Sequence, residues 1–306
     1  MSLPSPSPGD EPSRASSAAG ASTVPSAAPV STVPSAAPVL PPVGRTAVAA
    51  ARVRAHESSR PDRLFDDPLA ARFVAAAHAD NQPAPAPPGD EGTRRRALAF
   101  HVIVRTRFYD DFLLAAGRDG IRQVVLLGAG LDSRAYRLPW APGTQMYEVD
   151  LPPVLEYKRD VLAAAGLGPN CERHPVSADL AGDWPAGLVD AGFRPTAPTA
   201  WLAEGLLVYL DDPSATALLR RVTSWSAPGS RLALEGGTAA SAAGAGRARP
   251  IGVEALWRGG LDGDPAGWLA AAGWRPVGHP LAAIAHGYGR AVGGPSRSSL
   301  LTATRP

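Results

Sequence analysis

From Gln123 the chain runs through Val124-Val125-Leu126-Leu127 straight into Gly128-Ala129-Gly130. A short apolar run with no polar alternation predicts a strand buried on both faces, as in a parallel sheet covered by helices on each side. The two glycines let the backbone turn sharply and let a ligand approach with no Cβ in the way. In doubly wound folds this first strand-to-helix turn borders the crevice where nucleotide ligands bind.

The rest of the chain repeats the unit. Strands are predicted at 145–149, 172–176, 199–203, 231–235, 274–277 and 300–304, and helices at 152–165, 213–225 and 265–272. Upstream, helices are predicted at 46–59 and 93–116, with another opening at Pro68 behind an Asp67 cap and running to about His78. The alternation implies an α/β fold, a doubly wound, Rossmann-like sheet preceded by extra helices. The last two strands have no clear crossover helix between them, which suggests a final antiparallel strand.

Residues 1–43 are Pro, Ser and Ala-rich and contain a tandem copy, Ser22–Val30 repeated as Ser31–Val39. Such composition buries too little apolar surface to offset its ordering entropy and predicts a disordered tail. The expected folded domain is 44–306, with 44–120 a helical lid and 121–306 the α/β core.

Several function classes fall away on composition. No apolar run approaches the ~18 residues of a membrane helix. The N-terminal stretch lacks the basic start and apolar core of a signal peptide. Cys171 is the single cysteine, so no intramolecular disulfide is possible, and a cytoplasmic location is expected. The net charge of +2 has no like-charge block beyond Arg94-Arg95-Arg96, which reads as a solvated helix start, so nucleic acid is not an expected partner. The six histidines show no metal-ligand spacing. Neither a Gly-x-Ser-x-Gly elbow nor a Walker loop is present.

Three acidic positions accompany the glycine loop. Asp150 ends the second predicted strand, twenty positions after Gly130, where a carboxylate can accept hydrogen bonds from both ribose hydroxyls. Asp179, followed by Leu180, comes after the third strand; an Asp here suits an adenine amino group, though by itself it reads as a turn residue. Glu204 ends the fourth strand inside an apolar run. A carboxylate there needs a partner, either a ligand ammonium or an internal arginine. These features indicate a nucleoside ligand without saying which. A dinucleotide fingerprint wants a third small residue at 133, where this chain has Ser133, and no Tyr-x-x-x-Lys pair of the short-chain dehydrogenase type occurs.

Taken in order, Arg60–Ala70, Val104–Asp110, Gly128–Leu138, Glu148–Pro152, Asp179-Leu180 and Glu204–Leu210 resemble the leucine carboxyl methyltransferase superfamily. The likeness is closer to its bacterial branch of S-adenosylmethionine-dependent methyltransferases, with a weaker echo at Tyr288-Gly289-Arg290. The resemblance implies a seven-stranded methyltransferase sheet and S-adenosyl-L-methionine as cofactor. It places Arg105 on the methionyl carboxylate, Gly128 on the cofactor through its backbone, Asp150 on the ribose, Asp179 and Leu180 on the adenine, and Glu204 near the methionyl end. Eukaryotic members carry Cys after the glutamate where this chain has Gly205, which bears on the substrate. Lys158 is the sole lysine and reads as a surface residue of its helix.

The expected function is O-methylation of a carboxylate or hydroxyl on a small molecule, ahead of a protein carboxyl terminus. The alternatives are an NAD(P)-dependent oxidoreductase on a similar fold and a non-catalytic protein binding the cofactor or a metabolite. No catalytic base is legible; Tyr209 and Arg107 are placed near the site only by motif adjacency.

Overall fold

A computed structural model describes residues 40–77, 90–236, 256–291 and 298–306. The repeat tail and His78 lie outside the described residues. The strands are β1 (Gln123–Leu127), β2 (Gln145–Asp150), β3 (Glu172–Ser177), β4 (Thr199–Ala203), β5 (Arg231–Glu235), β6 (Arg275–Pro280) and β7 (Ser299–Thr304). They form one seven-stranded sheet in the order β3-β2-β1-β4-β5-β7-β6. β1 to β5 are mutually parallel. β7 runs antiparallel to both β5 and β6, the final antiparallel strand expected from the sequence. The order reverses between β1 and β4, which opens a crevice at their carboxyl ends.

All five residues of β1 are buried, and they divide between two cores. Val125 and Leu127 pack with Tyr147, Trp184, Trp201 and Leu218 on one face. Val124 and Leu126 pack with Val104, Tyr109, Met146 and Leu202 on the other. A strand that feeds both faces has no room for polar alternation.

Helices α1 (Pro42–Ser58), α2 (Ala70–Ala76) and α3 (Asp90–Arg118) precede the sheet. α4 (Arg134–Arg137) is a single turn after the glycine loop, and α5 (Pro152–Ala165) follows β2. α6 (Trp184–Asp190), α7 (Asp212–Ser224), α8 (Pro265–Ala271) and α9 (Leu281–Gly287) complete the set among the described residues. α9 lies between the last two strands, where the sequence shows no clear helix; at seven residues it is too short for periodicity to register. α2 starts at Ala70 behind Leu69, two residues later than the sequence predicts, and the Asp67 Oδ1 accepts from the Ala70 N–H at 3.1 Å in the turn that precedes it. A third apolar cluster joins α1, α2 and α5 through Val48, Ala51, Phe73, Val154 and Tyr157, with Leu131 of the glycine loop among them. Among the described residues no helix is long and apolar enough to cross a membrane.

Candidate functional site

The carboxyl ends of the five parallel strands carry Gly128, Asp150, Asp179, Glu204 and Glu235 in turn. Gly128 and Gly130 adopt φ of 62° and 49°, the left-handed region that glycine tolerates. Both are closely covered. A Cβ on Gly128 would sit 3.0 Å from Leu206 Cδ1, and one on Gly130 would sit 3.2 Å from Ala47 Cβ of α1. α1 also holds the loop directly, since Arg54 Nη2 donates to the Leu131 carbonyl at 2.6 Å.

Asp150 tethers this loop from below. Its Oδ2 accepts from the Gly130 N–H at 2.6 Å and its Oδ1 from the Leu151 N–H at 2.7 Å. Each carboxylate oxygen accepts about two hydrogen bonds, so one position on each stays available. Burial raises the Asp150 pKa above the usual carboxylate value against these two N–H bonds. Asp179 stands apart from this group. It is exposed and its Oδ1 accepts from Ala181 N–H at 2.9 Å, a turn interaction, while Leu180, like Leu206, packs against the first core.

Arg105, from α3, meets two carboxylates. Its Nε donates to Glu204 Oε1 at 3.1 Å and its Nη1 to Glu235 Oε1 at 2.9 Å. Glu204 Oε2 lies 2.8 Å from Arg134 Nη1, so internal arginines supply the partner this carboxylate requires. Arg134 is 2% exposed and also pairs with Asp110 at 2.7 Å and with Asp132. Arg137 joins Asp110 at 2.6 Å. The two guanidiniums beside Glu204 outweigh its burial and lower its pKa, whereas burial keeps that of Glu235 raised. Glu235 accepts from the Gly205 N–H through both oxygens, at 2.8 and 3.0 Å. Gly205 has φ of 62°, and a Cβ there would come within 2.9 Å of Arg105 Nη2. A larger residue after Glu204 therefore displaces Arg105. Tyr109 is buried against this cluster, and its hydroxyl has no hydrogen-bond partner among the described residues.

The model of the family described as leucine carboxyl methyltransferase matches residues 47–223. The chain belongs to this family. A Parafrankia relative with the provisional name S-adenosyl-L-methionine-dependent methyltransferase is 56% identical over 241 residues, 76% of this chain and 77% of the relative. A Streptomyces coelicolor protein with the same kind of name is 46% identical over 253 residues, 81% of this chain and 88% of its own. The fold matches the crystal structure of a DUF574 family protein from Streptomyces avermitilis at a TM-score of 0.51 and 20% identity, covering 84% of this chain and 97% of that one.

Within this family member the structure joins Arg105 to Glu204 and Gly130 to Asp150, and brings Gly128 against the loop that follows Glu204. Lys158 corrects the sequence reading. It is 0% exposed, and its Nζ lies 2.8 Å from Glu148 Oε2, which Arg173 Nη2 also approaches at 2.6 Å. Lys158 falls one helical turn from Val154 and one from Leu162, both buried, so the spacing of the apolar face places it inside. Glu235 escaped notice although it ends a parallel strand as Asp150 and Glu204 do. Arg107 lies outside the cluster, paired with Asp111 at 3.0 Å and donating to the Leu64 carbonyl. Tyr209 is close enough to Arg105 to act on its charge.

The Tyr288–Arg290 echo has a structural role. Arg290 Nη2 donates to Glu57 Oε1 at 2.8 Å and its Nη1 to Asp62 Oδ2 at 2.5 Å, fastening the end of α1 and the loop after it. Glu57 is 1% exposed. Arg290→Gln strands much of that buried charge and is expected to cost about 2–3 kcal/mol, read as a lower urea midpoint at unchanged slope.

Proposed function

We propose that this chain binds S-adenosylmethionine across the carboxyl ends of β1 to β5 and transfers its methyl group to an oxygen, carboxylate or hydroxyl, of a small molecule. The observation that carries the reading is Asp150. Its two oxygens each hold one backbone N–H and keep one acceptor position, which matches two vicinal ribose hydroxyls. Gly128 and Gly130 give the adjoining backbone the close approach a nucleoside needs. In this reading Asp179 and Leu180 flank the adenine. Arg105 and Glu204 serve the methionyl end: Arg105 has N–H groups beyond the two spent on Glu204 and Glu235, and the local excess of carboxylate suits an ammonium group. In this reading the described residues between 44 and 120 serve as a lid over the glycine loop, supported by Ala47 against Gly130 and by Arg54 on Leu131. The relatives' names support S-adenosylmethionine as the methyl donor.

No metal chemistry is required, because methyl transfer to a bound nucleophile is governed by positioning. The test supplies tritiated-methyl S-adenosylmethionine with a cell extract divided by size. Label is expected in the small-molecule fraction. Label confined to protein would replace the acceptor class, and label in neither fraction would contradict the reading.

A further inference from the structure

α3 carries His101, Arg105 and Tyr109 at intervals of four, so the three side chains share one helical face. That face is turned to the ends of β4 and β5, where Arg105 meets Glu204 and Glu235. Tyr109 is fully buried, whereas His101, one turn toward the helix start, keeps partial access to solvent. His101 is nonetheless set deep, and burial, then the Arg105 guanidinium, push its pKa down to about 3 against the opposing pull of Glu204. It is uncharged at neutral pH. His174 bonds Gln145 and His279 bonds Thr302, but neither ring nitrogen of His101 has a hydrogen-bond partner among the described residues.

The neighbouring charges discriminate between acceptors. Asp110, Asp132, Glu204 and Glu235 outnumber Arg105, Arg134 and Arg137, and every one of these guanidiniums is already engaged by a carboxylate. With the remaining N–H groups of Arg105 given to the methionyl carboxylate, an acceptor carboxylate brought to this face must displace Glu204 or Glu235, or remain unpaired beside them. A neutral O–H group meets no such cost, and the imidazole offers the lone pair it needs.

We infer that the methyl acceptor is a neutral hydroxyl or phenol whose O–H donates to His101, rather than a carboxylate; this rests on the methyltransferase reading above. In the transfer the acceptor oxygen bonds to the methyl carbon as the carbon–sulfur bond breaks, the electron pair of that bond remaining on sulfur. The O–H bond breaks with its pair kept by oxygen, and the proton passes to a ring nitrogen of His101. One positive charge leaves sulfur as one arrives on the imidazole, so the charge of the pocket is conserved. Burial and Arg105 oppose the imidazolium while Glu204 favours it, so the charge on His101 is short-lived, and its solvent-accessible side lets the proton depart.

The test uses the full chain, labelled in its histidines and saturated with S-adenosylhomocysteine. The His101 Cε1–H resonance is identified by its loss in His101→Gln. Phenol and benzoate are then titrated as probes at equal concentrations. Phenol is expected to shift the His101 resonance saturably and benzoate to leave it in place. A shift by benzoate, or by neither probe, overturns the inference. Failure of the chain to bind S-adenosylhomocysteine is visible before either probe is added; it defeats the methyltransferase reading and this inference with it.

Discussion

Arg134→Met is expected to lower folding stability by about 3–5 kcal/mol. Arg134 is the hinge of the buried network, joining Asp110, Asp132 and Glu204. Methionine fills a similar volume but leaves Asp132 with no arginine partner in this network and Glu204 with Arg105 alone. Chemical denaturation at neutral pH measures the loss. The acid limb gives an independent check. Against its burial, Arg134 is the first charge that holds the Asp132 pKa down at about 2, below the usual aspartate value of 3.8. A carboxyl depressed in the folded state contributes stability above its unfolded pKa, and that contribution is lost as pH falls through the folded one. The parent chain should therefore shed about 2 kcal/mol between roughly pH 4 and pH 2 from this group. In Arg134→Met that part of the acid transition should shrink. An unchanged neutral-pH stability would show that the network is not coupled through Arg134.

The second large effect is on ligand binding. Asp150→Ala is expected to weaken S-adenosylhomocysteine binding by roughly 100-fold, about 3 kcal/mol for two hydrogen bonds to a charged acceptor. Far-ultraviolet circular dichroism should be unchanged. Because burial raises the Asp150 pKa, and because ribose hydroxyls donate to the ionised form, affinity should fall on acidification at a pH above the usual carboxylate value of about 3.9. Equal affinity in parent and variant would remove Asp150 from the site.

The legible part of this molecule is the part whose signal is local. β1 and β4 are short apolar runs and were bounded correctly because burial on both faces leaves only one pattern. The placement of Asp150 at the end of β2, beside the glycine loop, was legible because β1, the single turn of α4 and β2 form one short unit. α6 was not read at all, since Pro185 and Gly187 lie within its seven residues and argue locally against a helix. The arginine–carboxylate network was opaque for a different reason. Arg105 reaches Glu204 and Glu235 across 99 and 130 positions, and no local pattern encodes such a pairing. Lys158 shows the intermediate case. Its position on the apolar face of α5 was readable, but its charge argued for the surface until Glu148, two residues before Asp150, supplied the partner.

Everything proposed for this site depends on the crevice between β1 and β4 taking S-adenosylmethionine. Calorimetric titration of the full chain with S-adenosylhomocysteine, with NAD in parallel, tests it most directly. Saturable one-to-one binding of S-adenosylhomocysteine is expected, with no heat of binding from NAD. Binding of NAD, or of neither ligand, would contradict it.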